Sequence, residues 1–219
     1  MDYELERSRR KTVAVIVRGG RVVVRAPLRL SVQEIERFLR EKEAWIRRKL
    51  SENAAAQTLF SDITACRAVL YRGVKFPVRR NQGERTGIAG GVFFVPAEAR
   101  DDIPTALAKW FRRTAKRELS ERLAVTAAAL GVTYSGFSVY GARTQWGNCS
   151  AAGAIRLNYR LIMLERPLAE YVIVHELCHL REMNHSRRFW HLVEAALPDY
   201  RQRRAALKRY AVLLRDIPY

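Results

Sequence analysis

Histidine and cysteine are scarce in this chain, four and three among 219 residues. The cysteines, Cys66, Cys149 and Cys178, form no C-x-x-C pair, and any disulfide scheme leaves one of them over. That usage fits a reducing compartment, so a cytoplasmic location is expected. Long apolar runs are missing too. None approaches the roughly 18 residues of a membrane span, and the opening Met1-Asp-Tyr-Glu-Leu-Glu-Arg-Ser-Arg-Arg10 has no apolar stretch of the secretory kind. A membrane is not an expected partner. There is no internal repeat and no low-complexity tract.

What is present in quantity is apolar material and positive charge. A hydrophobic share of 48% suffices for a packed core, and the length suits one domain or one with a small appendage. Forty Lys and Arg against 22 Asp and Glu leave a net charge of +18. Such a field attracts DNA or another polyanion. The basic residues are dispersed, however, from Arg7 to Lys208, and no nucleic-acid reader motif accompanies them. The helix-borne group Arg112, Arg113, Lys116, Arg117 and Arg122 is the best single candidate for a basic stripe.

Periodicity divides the chain into a β-rich region, residues 1–100, and a second region, residues 101–219. Two β-branched runs, 12–17 and 21–26, flank Arg18-Gly19-Gly20 and read as a tight hairpin. Ser31-Val-Gln-Glu34 is a capping box that opens a helix predicted over 31–53. Ile35, Phe38, Leu39, Trp45, Ile46 and Leu50 give it an apolar stripe, and Ser51 to Thr58 reads as a linker. A hairpin turning at Arg72-Gly73 and a strand over 92–95 follow. A long amphipathic helix is expected from about Ile103 to Leu130, closed by Gly131. Strands are expected over 132–140 and 155–162, with a loop of little hydrophobic logic, Gly141 to Ser150, between them. Pro167 suits the first turn of the next helix.

All four histidines fall in the last third of the chain, between His175 and His191. His175-Glu176-Leu-Cys-His179 is an H-E-x-x-H motif in an apolar helical setting. At about 100° per residue, the two imidazoles lie on one face a turn apart, where they can share a tetrahedral zinc ion. Glu176 would face a water-filled fourth position as general base. Without partners, those buried polar groups would each cost on the order of 1–3 kcal/mol. A third ligand must come from beyond the helix end. His185 is the first choice, with His191 and Glu194 as alternatives. A continuous helix would carry His185 off the metal face, so the chain must break after His179. Asn184 is the predicted breaker and Ser186 the cap of a following helix, whose Phe189 and Trp190 can pack behind the site.

Several segments together resemble the YgjP-like metal-dependent hydrolases, within the wider group of SprT- and WLM-type zinc metallopeptidases. They are Thr144-Gln-Trp-Gly-Asn-Cys-Ser150, Ile155-Arg-Leu-Asn158, Val174-His-Glu-Leu-Cys-His-Leu180, Glu182-Met-Asn-His-Ser186, Phe189-Trp190 and Pro198-Asp-Tyr200. Arg21-Val-Val-Val-Arg-Ala-Pro27 and Trp45-Ile-Arg-Arg-Lys49 are similar to that family's opening, so the likeness spans nearly the whole chain. It implies zinc on His175, His179 and His185, Glu176 as general base, and an edge strand around Leu157-Asn158 that pairs with an extended peptide. By analogy with SprT-type enzymes acting on DNA-associated proteins, it also suggests a use for the charge. Two departures stand out. Glu182 occupies the place of the metzincin glycine, and Gln145 to Asn148 differ from the commoner Arg-Trp-Gly-Ser.

The expectation is therefore an α+β protein: a β-rich N-terminal part with one helix, then a zincin-type core with a short antiparallel sheet. The expected activity is that of a zinc-dependent peptidase. The rival readings are a basic nucleic-acid-binding protein with a structural or vestigial zinc, and a zinc hydrolase of non-peptide amides. Tyr159, Tyr171, Tyr200 and Arg160 are the candidates for stabilising an oxyanion.

Overall fold

The β-branched runs on either side of Gly19-Gly20 fold back on each other as predicted. Strand β2 (Ala14–Arg18) pairs antiparallel with β3 (Arg21–Pro27), and β1 (Glu4–Ser8) lies parallel to β3 on its other side. Val22, Val24 and Ala26 alternate onto the buried face of β3. They meet Ile35, Leu39 and Ile46 in a small core of their own, where each large aliphatic contributes about 1.5–3 kcal/mol by burial.

The helix expected over 31–53 starts where predicted and then departs from expectation. Ser31 and Glu34 complete the capping box. Helix α1 (Val32–Glu41) then yields at Lys42, whose φ of −100° and ψ of 4° leave the helical region for one residue. Helix α2 runs from Glu43 to Leu59, so Ser51–Thr58 is helical rather than a linker. The cause is Ala54-Ala55-Ala56, residues of the highest helix propensity.

The computed structural model describes residues 2–83, 85–97 and 102–219. The chain folds as two compact units, Met1–Leu59 and Phe60–Tyr219. The strands between residues 68 and 96 belong to the second unit. There, a short helix α3 (Ser61–Thr64) precedes strands β4 (Ala68–Tyr71), β5 (Val74–Asn81), β6 (Gly87–Ala89) and β7 (Val92–Pro96), in sheet order β4-β5-β7-β6. Helix α4 (Ile103–Leu130) is capped by Asp102, which accepts from the Thr105 amide at 2.8 Å. It ends at Gly131, whose φ of 60° is the left-handed conformation that glycine adopts without a Cβ clash. Leu107, Phe111, Ala115, Leu119 and Leu123 are fully buried along one face. Glu118, buried on the same helix, is met by the Tyr71 hydroxyl and by Arg72 Nη2 at 3.1 Å.

Beyond α4, strands β8 (Gly136–Tyr140), β9 (Gly147–Cys149) and β10 (Ala154–Asn158) form a second sheet in the order β8-β10-β9. It is mixed rather than antiparallel. β9 and β10 are joined by a tight turn through Ser150–Gly153, whereas β8 reaches its partner by a crossover and runs parallel to β10. The strand predicted over 155–162 stops at Asn158, where a 3-10 turn (Tyr159–Met163) begins. Helices α5 (Arg166–Cys178), α6 (Arg187–Ala196), α7 (Tyr200–Leu207) and α8 (Ala211–Asp216) complete the unit. The architecture is thus a mixed one of helices and several small sheets. Among the described residues, no helix is long and apolar enough to cross a membrane.

Candidate metal centre

Helix α5 opens on Pro167 in its first turn and is buried on nearly every side. His175 and Glu176 lie in its last turn, and His179 is its C-terminal cap. The helix therefore ends six residues before Asn184, the predicted breaker. The amides of Leu180, Arg181 and Glu182 turn back onto the carbonyls of Leu177 and Cys178. Arg181 fixes this reversal by donating to the Leu130 and Gly131 carbonyls at 2.7 and 3.2 Å. Asn184 has no left-handed φ; its carbonyl accepts from the Ser186 amide. Ser186 caps α6 as expected, its hydroxyl accepting from the Phe189 amide.

This reversal brings His185 back over the helix. Ligand atoms of His175, His179 and His185 all lie within 4.8 Å of one another, a group able to hold a metal ion. The Nε2 atoms of His175 and His185 are 3.1 Å apart. Two donors on tetrahedral bonds of about 2.0–2.1 Å stand roughly 3.3–3.4 Å apart, so the spacing fits a shared ion. His179 Nδ1 lies 3.0 Å from the Glu182 carbonyl. A carbonyl only accepts, so Nδ1 carries the proton and Nε2 keeps its lone pair for a metal. His191 does not join the group, and Glu194 is engaged by Arg201 at 2.7 Å. Phe189 forms the floor: it is fully buried and its ring stacks on His179 at 4.4 Å. Trp190 stacks on His185 at 5.6 Å.

Electrostatics favours the ligating form of the imidazoles. Burial first, then the neighbouring His179, His185 and Arg204, hold His175 down at about 3. His185 is lowered by burial, His179 and Arg204. Burial alone pushes the Glu176 carboxyl up to about 8, and a bound cation would pull it the other way. A cavity of about 400 Å³ opens over His175 and Glu176. Its walls include Trp146 and Gly147 from the β9 side, Tyr171 with His175 and Glu176 from α5, and Arg204 with Lys208 beyond α6. A depression of similar size between α4 and α5, around Arg122 and Arg166, contains none of the three imidazoles.

Leu157 and Asn158, expected on a peptide-binding edge, are not on one. β10 is hydrogen-bonded on both sides, and both residues are fully buried. Asn158 serves the loop instead. Its Nδ2 donates to the Ala142 and Gln145 carbonyls at 2.8 and 2.9 Å, and its amide donates to the Trp146 carbonyl. The loop that hydrophobic patterning could not interpret is thereby held against Glu176. A Cβ on Gly147 would stand 2.5 Å from Glu176 Oε1 and 2.6 Å from its Cγ. The Gly147→Ala protein should therefore retain its metal and lose about 100-fold in turnover, the effect of moving a catalytic group by about an ångström. Parallel metal analysis and kinetics check this; an unchanged rate would show that Glu176 accommodates the methyl group.

Two imidazoles from one helix and a third from the turn beyond it form a donor set able to hold a metal ion, and the buried carboxylate of Glu176 lines a cavity together with His175. The YgjP-like metallopeptidase domain model matches residues 11–210, and the chain belongs to that family. The comparison with curated proteins finds no match. Among solved structures, the crystal structure of the metallopeptidase zymogen of Pyrococcus abyssi abylysin is similar over 45% of this chain and 97% of that one. The identity is 24% and the TM-score 0.38.

Proposed function

We propose that the protein is a zinc-dependent peptidase acting on peptide or protein chains, with His175, His179 and His185 holding the ion and Glu176 as general base. The observation that carries this reading is the convergence of three imidazoles, one of which, His175, shares the wall of a cavity with the buried carboxylate of Glu176. Three nitrogen donors that leave a position open are the pattern of catalytic rather than structural zinc. When bound, the ion supplies a Lewis acid for the scissile carbonyl and acidifies water.

The chain's own residues do the rest. Glu176, made more basic by its dry surroundings, takes a proton from the attacking water and returns it to the leaving amine. Of the four groups considered for the oxyanion, only Tyr171 lines the cavity. Burial raises its phenol above the ordinary range, so it stays protonated and can donate. An extended substrate would add to β9, the outer strand on the Gly147 side of its sheet, rather than to the central β10. That places its backbone next to Gly147 and hence next to Glu176.

Metal removal tests the reading. Cleavage of an unfolded protein such as casein should fall at least about 100-fold in protein stripped by a chelator and return with one equivalent of zinc. Undiminished cleavage by protein shown to be metal-free would overturn it.

A further inference from the structure

The basic residues of the C-terminal helices are not equivalent. Arg201 is bound to Glu194 at 2.7 Å, Arg203 to Glu170 and Asp199 at 2.6 and 2.9 Å, and Arg209 reaches Glu165 at 3.6 Å. Arg204 and Lys208 differ from these. They lie four residues apart on one helical face, line the cavity over His175 and Glu176, and, among the described residues, pair with no carboxylate. Among the described residues that line that cavity, Glu176 is the only acidic one.

Arg204 is also held in place. Its guanidinium lies 4.7 Å from the centre of the Trp190 ring, and the same indole stacks on His185 and on Tyr200. One aromatic side chain thus braces both a metal-site imidazole and a cation. A guanidinium held against an indole at the wall of a cavity is suited to a carboxylate, which it can bind in bidentate geometry. Lys208 adds a second positive charge one turn further on.

We propose that Arg204, supported by Lys208, selects substrates that carry a carboxylate beside the bond to be cut. The proposal rests on the peptidase reading above and deepens it. The carboxylate can be an acidic side chain or the free C-terminus of the substrate chain. Both present the same two oxygens to the guanidinium.

The test is a panel of peptides, blocked at both ends, in which one position at a time is Glu, Gln or Lys. Zinc-loaded wild-type protein should favour Glu over Gln at one position by at least about tenfold in kcat/KM. Arg204→Gln should erase that preference while cleavage of the Gln peptide persists, and Arg204→Glu should turn it toward Lys. Arg113→Gln, on the exposed face of α4, should leave it intact. A preference that survives Arg204→Gln, or that falls equally in Arg113→Gln, overturns the proposal, because the general positive field would then account for it. The same panel with free C-termini separates the two sources. A gain confined to free acids identifies the terminal carboxylate. Binding to the zinc-loaded Glu176→Gln protein is measured alongside. Arg204-dependent binding of the Glu peptides without any cleavage by wild type would sustain the carboxylate site and overturn the peptidase reading. Cleavage without preference would do the reverse.

Discussion

The Glu176→Gln protein should bind its metal at full stoichiometry and cleave about 10²–10⁴-fold more slowly than wild type, the range that general-base catalysis supplies. Gln keeps the shape of Glu and removes only its ability to accept a proton. The loss should fall on kcat with KM nearly unchanged, because the proton transfer belongs to the transition state. Burial makes the substitution structurally mild. The carboxyl is pushed up to about 8 in the folded protein, so its neutral form already suits the site. A group raised in this way adds stability below its unfolded value of about 4.5 and loses that contribution as pH rises through 8. In metal-free protein, the melting temperature of Glu176→Gln should therefore gain on wild type between pH 5 and 8. Wild-type cleavage by the metal-loaded Gln protein would remove Glu176 from the mechanism. A Gln protein without metal would instead make it a structural support of the centre.

How much of this is legible in the sequence depends on how local each signal is. His175 and His179 meet through helical periodicity alone, and the end of α4 and the start of α6 are written in Gly131 and Ser186. Those features rest on interactions within a few residues. A break after His179 is required by the helical geometry, but its place is not where Asn184 suggests. Asn184 has the composition of a breaker, yet the reversal is fixed by Arg181 reaching the end of α4, about fifty residues away in the chain. No local rule contains such a contact. Leu157-Asn158 misleads for a related reason: an alternating strand does not disclose whether one or both of its edges are paired. Gly147 carries only a weak signal, a Trp-Gly pair in a loop without apolar logic, and its meaning emerges once Glu176 lies against it. Arg204 and Lys208 are invisible within a basic run. What separates them from Arg201 and Arg203 is which neighbours found a carboxylate, and that is decided by packing.

The His185→Ala protein should fold as wild type and fail to retain metal, and this outcome separates the three histidines by role. His179 is buried and His175 half-buried in α5, so altering either disturbs the packing of that helix as well as the site. His185 is exposed, lies outside any helix, and rests its ring on Trp190 and Phe189 rather than filling a core. Truncating it leaves no buried void, and the metal-free melting temperature should be within the ordinary scatter of surface substitutions, about 0.5 kcal/mol. The metal-loaded protein is another matter. Removal of a supporting residue around a metal typically weakens binding 10–100-fold, so loss of a direct ligand should exceed about 100-fold. At fixed free zinc, each such factor removes about 2.7 kcal/mol of the stabilisation the ion confers. Zinc should then raise the melting temperature of wild type strongly and that of His185→Ala little, with chelator competition giving the affinities directly. His191→Ala and Glu194→Gln should behave as wild type in both measurements, because His191 stands outside the imidazole group and Glu194 is held by Arg201. Stoichiometric zinc in His185→Ala, or its loss in His191→Ala, would assign the third donor elsewhere and remove the geometric basis for an open fourth position above Glu176.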